Sequence, residues 1–430
     1  MQFVAAFSQM QALVVASLKI RLRVEAPLSG LIFLVMFGGI NVPHSALAED
    51  LTLSHEVFIE PRLAPRPNVI VHTHDDDVVI AGSVGKEAWA VKTNADGKVK
   101  WRYTVPPFDK SVFGMGPEYH SAAVMPDDSV FLCGDYPRSS GSPISGLFTR
   151  ISKEGEVIKE QLLIPQNDSG RSINRFYSCV PHDGGVLIVG SSTQFYKKDS
   201  TSASNKVPYE SKDNYWVLTV DQNEKVKSEK LISIDKNAGF DHVTLLQTAS
   251  GDIVFAAARN SIETEIVRIS PDGVIKARTV IPQAFLIVQP TDQDMTLQLV
   301  SVTTNSLTLI TLDDSLRETS RVVEKHEPGV VYEAYRLSDK SLMLFGSKGE
   351  GDNLFAQVAK FDPTLKHEQT LELAPQGGSY WVSAAVPSGA DGQFACVRGA
   401  IKPSKLGQVM NDEMRAQSRL GVAIDFIKTK

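Results

Sequence analysis

Residues 127–134 read DDSVFLCG, and residues 149–159 read TRISKEGEVIK. The first is a pair of acidic turn residues followed by an apolar run that ends in glycine. The second alternates apolar and polar residues up to a Glu-Gly turn, and alternation of this kind marks a strand with one buried face. The first pattern recurs as DDVVIAG (76–82), DGGVLIVG (183–190), SGDIVFAA (250–257), QDMTLQLV (293–300), DKSLMLFG (339–346) and DGQFACVRG (391–399). The second follows it as AVKTNADGKVKW (90–101), LTVDQNEKVK (218–227), VRISPDGVIK (267–276), LITLDDSLRE (309–318) and AKFDPTLKHE (359–368). Each repeat therefore supplies two hairpins with tight polar turns, a four-stranded antiparallel meander.

Seven such units recur along the chain at intervals of about 43 to 67 residues, the signature of blades set radially in a β-propeller. The expected fold is all-β, a seven-bladed propeller. The last repeat has only three strands, ending at Leu420–Ile427, while a spare strand, LTLSHEVFIE, precedes the first blade at residues 51–60. Pairing the two would close the ring and remove its exposed edges. Helical periodicity is confined to residues 406–419.

Residues 1–48 are set apart from this pattern. Lys19, Arg21 and Arg23 precede an apolar run from Leu28 to Ile40, which ends in Ser45-Ala46-Leu47-Ala48. That order is a secretory signal peptide cleaved after Ala48, because thirteen apolar residues are too few for the roughly 20 that a membrane-spanning helix needs. Residues 49–430 are then a single propeller domain, periplasmic or secreted, with no membrane insertion after cleavage and monomeric. The 430-residue chain has 44 basic and 50 acidic residues; without the leader these become 41 and 49, a net charge of −8. An acidic surface without clustered Lys and Arg excludes a nucleic-acid partner.

The segment Asn94-Ala95-Asp96-Gly97-Lys98-Val99-Lys100-Trp101 is similar to the second half of the tryptophan-docking motif of the pyrroloquinoline-quinone-like propellers, in which a turn places Trp between blades. The blades as a whole resemble those of secreted bacterial propeller families of this kind. The Trp form occurs once; Ile158, Val226 and Ile275 stand at the equivalent places. The cofactor-stacking aromatics, Ca²⁺ cluster and vicinal cysteines of quinoprotein dehydrogenases have no counterpart. The resemblance implies the fold, and no cofactor is expected.

The inner strand of each blade lines the central channel. Long connections, at residues 191–214, 135–145 and 399–419, fall on one face, and loops of this length are commonly functional. On that face the inner strands begin with Tyr119 and His120, with Arg175, Phe176 and Tyr177, with Asp241 and His242, and with Tyr332, Glu333, Tyr380 and Trp381. Aromatic residues and Arg are suited to anchoring a ligand or partner; packing between blades is the competing role for each. His120 and His242 with Asp241 or Glu333 would suit an acid–base pair. His72 and His74 share one strand face beside Asp75–Asp77, but without a third ligand no metal site is expected. Cys133, Cys179 and Cys396 are an odd set lying in apolar strands, expected as buried thiols, with a 133–179 bridge open on topology.

No nucleophile-elbow, phosphate-loop or zinc-protease motif is present. The expected function is binding of a protein partner through the long-loop face, as an envelope scaffold or as an inhibitor or immunity protein. Two other classes fit the same face: an enzyme (hydrolase, lyase or oxidoreductase) working at the channel mouth, and a binder of a glycan or small ligand.

Overall fold

The computed structural model describes residues 51–429 except 61–64, 109–115, 138–143, 167–171, 198–208, 235–239, 260–261, 271, 291–295, 304–305, 326–328, 349–354, 374–378, 389–391 and 402–421. The expected leader, residues 1–48, and the helical segment 406–419 lie outside the described residues.

Every described element is a strand. β1 (Leu51–Glu60) precedes a first meander of β2 (Pro65–His72), β3 (Val78–Val84), β4 (Glu87–Thr93) and β5 (Val99–Val105). A second follows as β6 (Glu118–Val124), β7 (Val130–Pro137), β8 (Ile144–Ile151) and β9 (Val157–Leu163), and a third as β10 (Ser172–His182), β11 (Gly185–Lys197), β12 (Tyr209–Val220) and β13 (Val226–Ser233). The fourth comprises β14 (Phe240–Gln247), β15 (Ile253–Arg259), β16 (Glu263–Ile269) and β17 (Ile275–Ile281). The short strand β18 (Leu286–Ile287) opens the fifth, which continues as β20 (Leu297–Val302), β21 (Ser306–Leu312) and β22 (Glu318–Lys325), while the short β19 (Gln289–Pro290) pairs in parallel with the opening strand of the sixth. The sixth holds β23 (Gly329–Arg336), β24 (Leu342–Lys348), β25 (Phe355–Phe361) and β26 (His367–Glu372); the last holds β27 (Ser379–Pro387), β28 (Gln393–Ile401) and β29 (Val422–Thr429). The fold is an all-β propeller.

Seven blades were expected; the described strands form six sheets rather than seven separate blades. Five are single blades of four or five strands. The sixth has eight, because the inner strand β10 begins early and its Ile173 pairs in parallel with Ile144 of β8, joining the second and third meanders. β1 runs antiparallel along β29 from Leu51–Thr429 to Glu60–Val422, on the outer edge of the sheet β27–β28–β29.

The second strands are covered on both faces, which is why they read as unbroken apolar runs rather than alternating ones. All eight residues of β7 are buried, whereas all eight of the outer strand β22 are exposed. Apolar clusters fill the gaps between successive meanders. Phe176, Ile188 and Trp216 pack with Phe131 and Phe148, and Trp89 and Val91 pack with Ala395 and Ile424 of the last blade.

The turns follow from backbone sterics. The closing residue of the first hairpin is left-handed at Asp76 (φ 60°), Asp128 (φ 61°) and Lys340 (φ 70°), and Gly251 (φ 81°) and Gly392 (φ 76°) do the same. Asp and Gly tolerate this region best, which accounts for the acidic and glycine punctuation of the repeat. Ion pairs then tie these turns to neighbouring units. His74 Nδ1 lies 2.8 Å from Asp128 Oδ1, and Lys153 Nζ is 3.0 Å from Asp128 and 3.2 Å from Asp75. The His72–Asp77 segment thus serves as a joint between units. Trp101 packs between the first two meanders and donates from Nε1 to the Lys153 carbonyl at 3.2 Å.

Candidate ligand site at the channel mouth

Six of the inner strands carry a β-bulge near their start. The register breaks between Pro67 and Val69, Tyr119 and Ser121, Phe176 and Ser178, Phe240 and His242, Val331 and Glu333, and Val382 and Ala384. The extra residues are Asn68, His120, Tyr177, Asp241, Tyr332 and Ser383. A bulge bends its strand and re-aims the inserted side chain, and five of these six line one central cavity of about 970 Å³; the side chain of Asp241 lies outside the described ones.

The glycine that ends the apolar run of the second strand makes room for the bulge. In each case the carbonyl two residues before the extra residue is pressed onto it. A Cβ on Gly82 would lie 1.9 Å from Arg66 O, on Gly134 1.8 Å from Glu118 O, on Gly190 2.0 Å from Arg175 O and on Gly346 2.0 Å from Val330 O. The fourth and last blades place arginine at the corresponding register, Arg259 opposite Phe240 and Arg398 opposite Val382. Each pairs with a carboxylate of its third strand. Arg259 contacts Glu265, and Arg398 holds Asp425 through Nε–Oδ2 at 2.6 Å and Nη2–Oδ1 at 3.0 Å.

The polar side chains converge where the first three meanders meet. Asp135, at the end of β7, places Oδ2 3.0 Å from Arg175 Nε and 3.7 Å from His120 Nε2. The His120 and Tyr177 rings are 6.0 Å apart, and Ser191 Oγ lies 3.5 Å from the Tyr177 hydroxyl. Glu118 Oε1 accepts from Asn68 Nδ2 at 2.7 Å and from Ser83 Oγ at 3.2 Å. Burial pushes the His120 imidazole down, but the Asp135 and Glu118 carboxylates raise it by more, so its pKa stands above the usual histidine value.

Another part of the cavity wall has a different character. Glu333 on β23 is half-buried, and burial pushes its carboxyl up to about 8. It is therefore a neutral acid at pH 7. Tyr332 beside it is raised by the same desolvation.

Among the residues expected at the mouth, His120, Arg175 and Tyr177 meet in one cluster, and Tyr332 and Glu333 share its cavity. Tyr119 points the other way: fully buried between the first two meanders, its hydroxyl lies 2.7 Å from Thr149 Oγ1. Phe176 is likewise core, 4.8 Å from the Trp216 ring. Asp241 and His242 on β14 and Tyr380 and Trp381 on β27 have side chains outside the described ones.

Sequence reasoning passed over Asp135, Glu118, Asn68 and Ser83. A signal was available: in four repeats the residue after the glycine that ends the apolar run is polar, as Ser83, Asp135, Ser191 and Ser347, and the first three contact a channel-lining side chain.

The three long connections also resolve differently. Residues 191–214 are mostly paired strand, since β11 and β12 stay in register out to Lys197–Tyr209. Residues 138–143 and 402–421 of the other two lie outside the described residues.

No family model matches the chain, and no curated protein is similar to it in sequence. Among solved structures it is similar to a protein of unknown function from Bacteroides caccae, at 14% identity over 69% of this chain and 93% of that one, with a TM-score of 0.41. It is similar also to the Dos1 propeller, at 10% identity over 84% and 77% with a TM-score of 0.46. A polysaccharide lyase, Uly1, aligns at 10% identity over 88% and 100%, with a TM-score of 0.48. At these identities the chemistry of the site rests on its own residues.

Proposed function

We propose that the protein is an exported propeller that binds a protein partner through the face bearing the channel mouth. In this reading residues 1–48 are its leader, and the eight-stranded sheet counts as two blades, giving seven. Pairing of β1 with β29 closes the ring. The apolar cluster shared by Trp89, Val91, Ala395 and Ile424 supports that closure, since it joins the first complete meander to the last blade.

One observation carries the binding reading. The hairpin β11–β12 runs on past its blade from the same end that holds Arg175 and Tyr177, with Phe195–Ser211, Tyr196–Glu210 and Lys197–Tyr209 still paired beyond Gln194, the last residue opposite β10. At about 3.3 Å per residue these three pairs extend a ribbon by roughly 10 Å beside the mouth. A paired arm next to a polar pocket suits a partner that lies along the arm and inserts a polar side chain among His120, Asp135 and Arg175. An envelope scaffold and an inhibitor or immunity protein both use such a face. Replacing residues 195–211 by Asn-Gly keeps the Gln194–Lys212 pair and a two-residue turn. Partner recovery from an envelope extract should fall at least tenfold; equal recovery by the shortened and parent proteins would remove the arm from the function.

A second reading is favoured by Glu333. A carboxyl protonated at neutral pH and an imidazole held by Asp135 within one cavity are the components of acid–base catalysis. On that reading Glu333→Gln and His120→Ala each abolish turnover of a substrate bound at the mouth, glycan or other small molecule, whereas the shortened-arm protein keeps its turnover.

A further inference from the structure

Cys133 and Cys179 meet across the boundary between the second and third meanders. Cys133 on β7 stands directly opposite Ser121 of β6. The Cys179 backbone N–H, from β10, donates to Ser121 Oγ at 3.1 Å, and its Sγ lies 3.7 Å from the same oxygen. Both thiols belong to one buried cluster with Phe131 and Trp216, and both are free in the structure. Cys179 also reaches the wall of the channel. Cys396 is far from both in the fold, on β28 of the last blade.

We infer that Cys133 and Cys179 form a redox-responsive clamp that can be closed as a disulfide between the second and third meanders, beside the ligand site. The two sulfurs reach the same Ser121 hydroxyl from two different strands, a convergence that neighbouring Cα atoms must meet before a bridge can form. Their positions give the bond a consequence. Asp135 lies two residues beyond Cys133 and Tyr177 two residues before Cys179, so the bond would fix the gap across which Asp135 holds Arg175.

The oxidant is a small-molecule disulfide such as oxidised glutathione. The Cys179 thiol, exposed as the boundary between the two meanders opens, gives up its proton and attacks one glutathione sulfur, forming a mixed disulfide and releasing one glutathione thiolate, which takes up a proton. Cys133 then loses its proton, attacks the Cys179 sulfur and expels the second glutathione, again protonated. Two protein thiols lose two electrons, and one glutathione disulfide gains them. Burial pushes the Cys133 thiol well up and the neighbouring Cys179 adds to this, so exchange is slow in the native state.

The test uses the full chain and the variants Cys396→Ser and Cys133→Ser. Each is equilibrated with oxidised glutathione until its free-thiol content is constant, then alkylated in denaturant and mapped by peptide mass. Wild type should keep one free thiol, at Cys396, with the peptides containing Cys133 and Cys179 linked. Cys396→Ser should keep none, and Cys133→Ser should show no link. Oxidation should raise the melting temperature by a few degrees, reversed by dithiothreitol, in the parent and in Cys396→Ser but not in Cys133→Ser. Three alkylated cysteines in the wild type, or a link involving Cys396, overturns the proposal. The outcome is independent of the partner reading, because it needs no ligand.

Discussion

Gly134 has no room for a methyl group, because a Cβ there would lie 1.8 Å from the Glu118 carbonyl oxygen. Gly134→Ala must therefore push the bulge back, moving His120 and the Asp135 contact with it. A loss of about 1–3 kcal/mol is expected, the usual cost of forced overpacking, read as a lower denaturant midpoint at unchanged slope. The glycine itself was plain in the sequence as a repeated letter. Its purpose was not, since a bulge belongs to the register between two strands and leaves no mark on either alone. Glu333 makes a prediction of opposite sign. Its folded pKa, about 8, lies above the value of 4.5 for an unperturbed glutamate, so the native state binds this proton more tightly than the unfolded chain. Stability that is present below pH 4.5 is lost as the pH rises through 8. Glu333→Gln removes that loss: the variant should match wild type near pH 4 and melt increasingly above it up to pH 8–9. Parallel melting curves for the two proteins across that range would show that Glu333 is not desolvated.

At the scale of strands and turns, the apolar runs and the Asp and Gly punctuation were sufficient to place the meanders, because two-sided burial and left-handed turn residues both constrain composition directly. What stayed hidden was anything decided by length or pairing. The early start of β10, which joins two meanders into one sheet, depends on a single Ile173–Ile144 pair. Residues 191–214, rich in polar side chains, read as a loop although most of them are in paired strands. The substitution of arginine for glycine in two blades is similarly invisible until Arg398 is seen against Asp425, with both side chains at most 1% exposed. Removing one partner strands the other charge in the core. Arg398→Met alone should cost about 3–5 kcal/mol, while Arg398→Met with Asp425→Leu should recover most of it; a double variant no more stable than the single one would show that the pair is needed in its own right.

For the whole molecule, the decisive element is β1. It covers the outer edge of β29, so deleting residues 49–60 exposes a full row of unpaired backbone groups on the last blade. The truncated protein should melt well below the parent or self-associate at micromolar concentration, as measured by calorimetry and sedimentation; a monomer with unchanged melting temperature would refute the role given to that edge. The same pairing sets a timetable. Leu51 and Thr429, nearly the two ends of the described residues, are cross-strand neighbours, so one sheet is assembled from the first and last described strands. Every other sheet can form as its own stretch emerges, but this one has to wait for the final strand, and contacts of such separation form slowly. Folding should therefore finish with a distinct late phase, the pairing of β1 with β29, and until then the last blade keeps an open edge that can be extended by another strand.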